Sequence, residues 1–145
     1  QVDDPLVGSD MIDPLVDALD SDNDVSLALL AKKIERREEI DSPDIVKMVF
    51  DTKGRALYFS RSPIPYPRTR QGIWYKHIGP YAWRRSFLLD FSKWGQTPLE
   101  KRESLEMLRV LERGHSIRCI MTERDTIEID TPYDLTRIEE YLTEP

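Results

Sequence analysis

Cysteine occurs once in the 145 residues, as Cys119. One thiol excludes an intramolecular disulfide framework and a cysteine-rich zinc site. Histidine occurs twice, as His77 and His115, and not at zinc-ligand spacing. There are only six glycines, and neither Gly-x-x-x-x-Gly-Lys-[Ser/Thr] nor Gly-x-Gly-x-x-Gly is present, so no phosphate-cradling glycine loop is expected. Ser60 and Ser62 flank Arg61 without a Gly-x-Ser-x-Gly elbow, so no acyl-transfer triad is visible. The longest nearly apolar run, Val25 to Ala31, is far too short to cross a bilayer, and no basic segment leads an apolar one as in a signal peptide. The expectation is a cytoplasmic protein without membrane insertion. Basic residues are outnumbered, 21 Lys and Arg against 27 Asp and Glu, for a net charge of −6. That balance argues against general nucleic-acid binding, where phosphate tracking needs a basic surface.

What is present is a globular composition, 33% charged and 39% hydrophobic, long enough for a single domain over residues 1–145 and too short for two. The charge is segregated. Val2 to Asp24 carries eight acids and no Lys or Arg. The 38 residues between Asp51 and Asp90 contain no acid, yet hold Lys53, Arg55, Arg61, Arg68, Arg70, Lys76, Arg84 and Arg85. One reading is an anion-holding surface, since the planar Arg fork pairs with carboxylate and phosphate. The other is a solvated hairpin whose charges pair with the acidic ends.

Ser9 or Asp10 is placed to cap a helix with Ile12, Leu15, Val16 and Leu19 on one face, and Pro14 then has to fall near the first turn. Val25 to Ala31 reads as a buried strand and Ile34 to Ile40 as a short surface helix. Ile45 to Phe50 and Arg55 to Ser60 read as strands joined by a turn at Asp51-Thr52-Lys53-Gly54. Three prolines make Ser62 to Gln71 an irregular loop. Strand returns from Ile73 to Trp83, with Pro80 at an edge or bulge. Helix is expected from Arg84 to Trp94. The Thr97-Pro98-Leu99-Glu100 capping box then starts another helix that runs to about Arg113 and stops at Gly114. Ser116 to Thr122 and Ile127 to Ile129 read as strands. A last helix from Thr131 places Leu135, Ile138 and Leu142 on one face. Alternating elements imply an α/β fold with a mixed sheet.

Asp3 and Asp4 open the chain, and Asp130 stands where a short strand meets a helix. Acids at strand ends suit a hard cation such as Mg²⁺, although Asp130 could equally serve as a helix cap. His77 alternates with apolar neighbours and is read either as a core-edge histidine or as a donor to a substrate hydroxyl or carboxylate. Cys119 is expected in the core.

Several segments together resemble the 3-deoxy-manno-octulosonate (Kdo) cytidylyltransferase family, the CMP-Kdo synthetases. Gln1-Val2-Asp3-Asp4-Pro5-Leu6 resembles its Gln-Gly-Asp-Glu-Pro-Leu motif. Val46-Lys47-Met48-Val49 with Gly54 to Pro65 is similar to its central hairpin. Lys76-His77-Ile78-Gly79-Pro80-Tyr81-Ala82-Trp83 resembles its Arg-His-Ile-Gly-Ile-Tyr-Ala-Tyr strand. Pro98-Leu99-Glu100 with Glu103 to Leu111 resembles its long helix, and Asp130-Thr131-Pro132-Tyr133-Asp134-Leu135 its closing segment. The resemblance implies a Rossmann-like nucleotide-diphospho-sugar transferase sheet. It also implies transfer of CMP from CTP to the anomeric hydroxyl of Kdo with release of pyrophosphate, for lipopolysaccharide synthesis. By the same resemblance Asp3 and Asp130 are catalytic Mg²⁺ ligands, and Gln1, Arg61, His77, Tyr81 and Glu106 bind substrate. A hairpin and loop at about 45–83 would serve sugar binding and the contact of a homodimer.

The family's N-terminal nucleotide-loop segment has no counterpart here. The sheet is therefore expected to lack its first strands, and the chain to correspond to the later part of the enzyme and bind CTP poorly by itself. Val2, Pro80 and Met107 depart from the family pattern, which leaves a modified Kdo or another 3-deoxy sugar acid as alternative substrates. A non-catalytic dimerising role is a further alternative. Nucleic-acid binding through the basic stretch with Tyr66, Trp74 and Tyr75 is the weakest reading.

Overall fold

In the computed structural model the described residues are 4–68, 72–126, 129 and 132–143. They form α1 (Ser9–Ser21), β1 (Val25–Lys33), α2 (Arg37–Asp41), β2 (Lys47–Phe50), β3 (Ala56–Ser60), β4 (Tyr75–Trp83), α3 (Arg85–Phe91), α4 (Pro98–Glu103), α5 (Met107–Glu112), β5 (Ser116–Met121) and α6 (Pro132–Thr143). The five strands make one mixed sheet in the order β3-β2-β4-β1-β5. Only β1 and β5 are parallel; the β1–β4, β2–β4 and β2–β3 pairs are antiparallel.

β1 reads as a continuous apolar run because both of its faces are covered. Val25, Ala28 and Leu30 meet Met11, Leu15, Ala18 and Leu19 of α1 together with Ile78. Leu27, Leu29 and Ala31 face the other way, into a larger core with Met48, Phe59, Leu108, Val110 and Ile117. The β2–β3 turn folds back over the outer edge of β5. Gly54 takes φ +74°, which favours glycine, and its carbonyl accepts the Cys119 amide at 2.8 Å. Cys119 is buried as expected, and burial pushes its thiol up to about 12, far from a reactive thiolate.

Several expectations need correction. α1 is capped by Gly8 with no side-chain cap bond, so neither Ser9 nor Asp10 plays that part. Pro14 sits inside the helix rather than near its first turn, and the buried stripe is Met11, Leu15, Ala18 and Leu19, leaving Val16 45% exposed. α2 is shorter than the expected surface helix and turns Glu39 inward. The helix expected from Thr97 to Arg113 is two helices, because Ser104 adopts the left-handed conformation (φ 55°, ψ 46°) between α4 and α5. The Thr97 end is as expected, with its amide donating to Glu100 Oε2 at 3.1 Å. Of the two positions expected for Pro80, the bulge is the one found: the β1–β4 register shifts between Leu29 and Leu30, opposite Gly79 and Pro80. In α6 Ile138 is buried, while Leu135 and Leu142 are exposed rather than on a shared buried face. The strand expected at Ile127 to Ile129 falls mostly on residues outside those described. Among the described residues no helix is long and apolar enough to cross a membrane.

Candidate functional site

The C-terminal ends of β1 and β5 and the start of β4 meet the start of β2 and the end of β3 in one row, from which the β2–β3 hairpin runs on past the other strands. This row is where open α/β sheets hold ligands. The registers are explicit. Lys47 on β2 is opposite both Ser60 on β3 and Lys76 on β4, and Lys76 is opposite Lys32 on β1. Three lysines therefore stand abreast, an arrangement that is unfavourable unless answered by acceptors. Lys76 donates to Glu39 Oε1 at 3.2 Å and to Asp125 Oδ2 at 3.0 Å. Lys32 lies 3.3 Å from the same Asp125 oxygen. Asp125 is half-desolvated, but its lysine partners hold its carboxyl below the usual range. Lys47 is fully buried and takes a different answer. Its ammonium donates to the carbonyls of Ser42 (2.6 Å), Ile45 (2.7 Å) and Arg61. Burial lowers its pKa below the ordinary lysine value.

One residue beyond this row come Arg61 and His77. The His77 amide donates to the Val46 carbonyl at 2.9 Å, which puts Val46 between them. Two strand spacings separate such positions, about 10 Å, the scale of one sugar acid. The His77 ring stacks on Tyr81 (5.1 Å between centroids, 22° between planes) and meets Phe59 edge-on at 6.5 Å. Its Nε2 is buried with no hydrogen-bond partner among the described residues. Burial pushes its pKa down to about 4, so the ring is neutral at pH 7, one nitrogen donating and the other accepting. Of the two readings of His77, the unpartnered Nε2 favours a donor or acceptor left for a substrate hydroxyl or carboxylate.

Arg61 is partly exposed and fixed at several points. Its amide donates to Glu103 Oε2 at 2.9 Å, its Nε to the Glu103 carbonyl at 3.0 Å and its Nη1 to the Pro43 carbonyl at 2.8 Å. Ser60 Oγ donates to Glu103 Oε1 at 2.7 Å. Lys47, Ser60 and Glu103 were not singled out in the sequence. A lysine between Val46 and Met48 in an apolar strand is the one signal that could have flagged the first, and nothing local flags Glu103.

The other residues singled out lie on other elements or outside the described residues. Glu106 is the exposed N-cap of α5, where its charge acts on Arg109. Met107 is buried in the core and offers a ligand no polar group. His115 is exposed and stacks on Trp94 at 5.3 Å. Gln1, Asp3 and Asp130 lie outside the described residues, and among the described residues no cluster of three or more His, Cys, Asp or Glu forms a metal centre. Asp4, next in sequence to Asp3, is buried against Gly79: a Cβ there would run into Asp4 Oδ2, with Thr126 Oγ1 also in contact. The bulge of β4 thus has room for the acidic segment only because residue 79 is glycine.

With this geometry in place, the chain's relatives can be compared. A family model described as cytidylyltransferase matches residues 1–117. The 3-deoxy-manno-octulosonate cytidylyltransferase of Fusobacterium nucleatum is 43% identical over 145 residues, covering 99% of this chain and 59% of that protein. The protein of the same name from Thermodesulfovibrio yellowstonii is 45% identical over 149 residues, covering 98% of this chain and 58% of that protein. A solved structure of CMP:2-keto-3-deoxy-manno-octonic acid synthetase complexed with CTP superimposes with a TM-score of 0.89 at 35% identity, covering 97% of this chain and 58% of that one. The chain thus spans somewhat under two thirds of the length of these relatives, and the mixed α/β sheet is shared with the solved structure.

Proposed function

Because the chain belongs to the cytidylyltransferase family, we propose that it carries the sugar-acid-binding part of an enzyme that transfers CMP from CTP to the anomeric hydroxyl of Kdo, with pyrophosphate as leaving group. The observation that supports this most directly is the row of Arg61 and His77 at the ligand end of the sheet. One is a held guanidinium; the other is a neutral imidazole with an unused buried nitrogen. A guanidinium suits the sugar's carboxylate, and a neutral ring suits a hydroxyl, giving or taking one hydrogen bond without introducing charge. Tyr81, stacked on His77, keeps the ring from turning. The protein's part in such a reaction is to set the attacking hydroxyl in line with phosphorus.

The donor chemistry of Asp3 and Asp130 is that of carboxylate oxygens, which suit Mg²⁺. In this reading they hold the ion, and Mg²⁺ would supply charge neutralisation at the transferred phosphate. Gln1 and Glu106 complete the substrate contacts. The region at about 45–83 serves both the sugar and the contact of a homodimer, and the enzyme acts in the cytoplasm, in lipopolysaccharide synthesis.

Calorimetric titration of the 145-residue chain with Kdo tests the sugar site. Binding is expected, and Arg61→Ala is expected to weaken it about tenfold or more, as loss of a charge-assisted pair does. Unchanged affinity removes Arg61 from the site. Fusing the N-terminal part of the Fusobacterium nucleatum relative to this chain is expected to give pyrophosphate release from CTP with Kdo and Mg²⁺. Asp130→Asn in that fusion should abolish it.

A further inference from the structure

We propose that Glu103 and Lys47 are positioning residues: they hold Arg61 so that the free end of its guanidinium is presented to the substrate carboxylate. The inference rests on the reading of Arg61 as the carboxylate's partner and adds what makes that partner effective.

Arg61 begins a proline-rich stretch with no regular structure, yet it is tied to two separate elements. Glu103, at the end of α4, takes the Arg61 amide on one carboxylate oxygen and the Ser60 hydroxyl on the other, while its carbonyl takes Arg61 Nε. Ser60 Oγ in turn accepts the Ser62 amide at 3.0 Å. From the other side Lys47 holds the Arg61 carbonyl, and the same ammonium binds the Ser42 and Ile45 carbonyls that flank Pro43, whose own carbonyl takes Arg61 Nη1. Glu103 and Lys47 therefore fix the backbone of Arg61 on both sides of its Cα, and they shape both carbonyl acceptors of its side chain.

Two consequences follow. First, all three ammonium protons of Lys47 are accounted for by carbonyls, so this buried charge has none left for a ligand and acts only through the loop it ties down. Burying an ammonium is unfavourable, a cost that an apolar residue of similar length at the same strand position would not carry. Second, with Nε and one Nη1 proton already donating, three N–H groups of Arg61 remain, one on Nη1 and two on Nη2, so a carboxylate is met end-on across the two. An arginine ordered before binding forfeits little rotamer entropy when the ligand arrives, and a loose one forfeits much more.

The test uses the 145-residue chain, with Kdo and Kdo methyl ester as probes, titrated by calorimetry. Glu103→Ala is expected to weaken Kdo about tenfold, with a smaller loss for Glu103→Gln, which keeps one acceptor. The ester, lacking the charge Arg61 recognises, is expected to change by under about twofold. In an Arg61→Ala background Glu103→Ala is expected to add under about twofold, the signature of a residue acting through another. Equal losses with and without Arg61, or for acid and ester alike, overturn the proposal. If Arg61→Ala alone leaves Kdo affinity unchanged, the fault lies with the carboxylate reading. Amide exchange then judges the positioning claim without ligand. Glu103→Ala and Lys47→Met are each expected to speed exchange at Arg61 and Ser62 while Leu27 to Ala31 stay protected, and unchanged exchange overturns it. Should Lys47→Met fail to fold, Glu103→Gln carries the same exchange readout.

Discussion

The two faces of the sheet are covered by different means. On one, a single helix of 13 residues, α1, lays Met11, Leu15, Ala18 and Leu19 on Val25, Ala28, Leu30 and Ile78. On the other, three helices of 7, 6 and 6 residues, α3, α4 and α5, cover a core that carries Phe59 and Phe91 and is ringed by Tyr81, Trp83, Phe87 and Trp94. A long helix crosses the sheet with its unpaired amides and carbonyls at the margins. Short helices end above the sheet, and every end needs polar partners there. Glu100 and Glu112 supply such partners: Glu100 accepts the Thr97 amide and pairs with Arg109, and Glu112 accepts the Leu99 amide. Arg109 also packs its guanidinium 4.3 Å over the Phe91 ring. The broken cover therefore brings charge onto this face, and Glu103 at the end of α4 holds Arg61. The continuous cover meets charge only at its margins, where Arg84 donates to the Leu19 carbonyl and Arg124 pairs with Asp10.

The sharpest way to break this contrast is to damage the aliphatic face. Leu15 is fully buried there. Leu15→Ala is expected to cost about 3 kcal/mol of unfolding free energy, from lost transfer energy and the cavity left behind. Kdo affinity at temperatures where the variant stays folded is expected to be unchanged. Urea unfolding and calorimetric titration of the same sample check both halves. A parallel loss of affinity would show that the two faces are not separable.

A smaller effect is expected from pH on the polar face. His77 has a folded pKa of about 4 against an ordinary value of 6.5. Between those values the unfolded chain binds the proton and the folded chain does not, so this residue's stabilisation is present above about pH 6.5 and is lost as pH falls toward 4. From pH 7 to pH 5 the loss is about 2 kcal/mol. The measurement is the difference between the chain and His77→Leu in urea unfolding at the two pH values, which removes the contribution of the many carboxylates. A difference that does not change with pH would mean that the ring is solvated and not buried against Phe59 and Tyr81.

The contrast also explains what was legible in the sequence. β1 was readable because a strand buried on both faces is an unbroken apolar run, and the β2–β3 turn because Gly54 sits where positive φ is needed. His77 and Arg61 were readable from family motifs, though their fixed geometry was not. Lys47 looked like an ordinary strand residue, since its carbonyl acceptors are supplied by the backbone of the loop before it and by Arg61 beyond the hairpin. The stripe of α1 was misplaced because Ile12 and Val16 fit helical spacing as well as Met11 and Ala18 do. Only the sheet beneath decides which side faces inward.

The division of the α4–α5 segment was the least readable feature, and it offers the smallest and most local test. The run Thr97 to Arg113 has good helix formers on both sides of Ser104, and serine is no helix stop. The break is imposed from outside: Leu105, Met107 and Leu108 are all buried, and the left-handed residue re-aims the chain so that they enter the core. The amides of Ser104 and Leu105 both turn back to the Glu100 carbonyl. An L-residue in this conformation costs about 1–2 kcal/mol, and glycine escapes that cost while losing about 0.5–1 kcal/mol through its freer unfolded chain. Ser104→Gly is therefore expected to raise stability by about 0.5–1 kcal/mol, seen as a higher urea midpoint with an unchanged slope. Ser104→Val, with a branched Cβ in the same conformation, is expected to lower it. If glycine destabilises and valine is tolerated, the segment is one continuous helix after all, and the polar face owes its charges to something other than a broken cover.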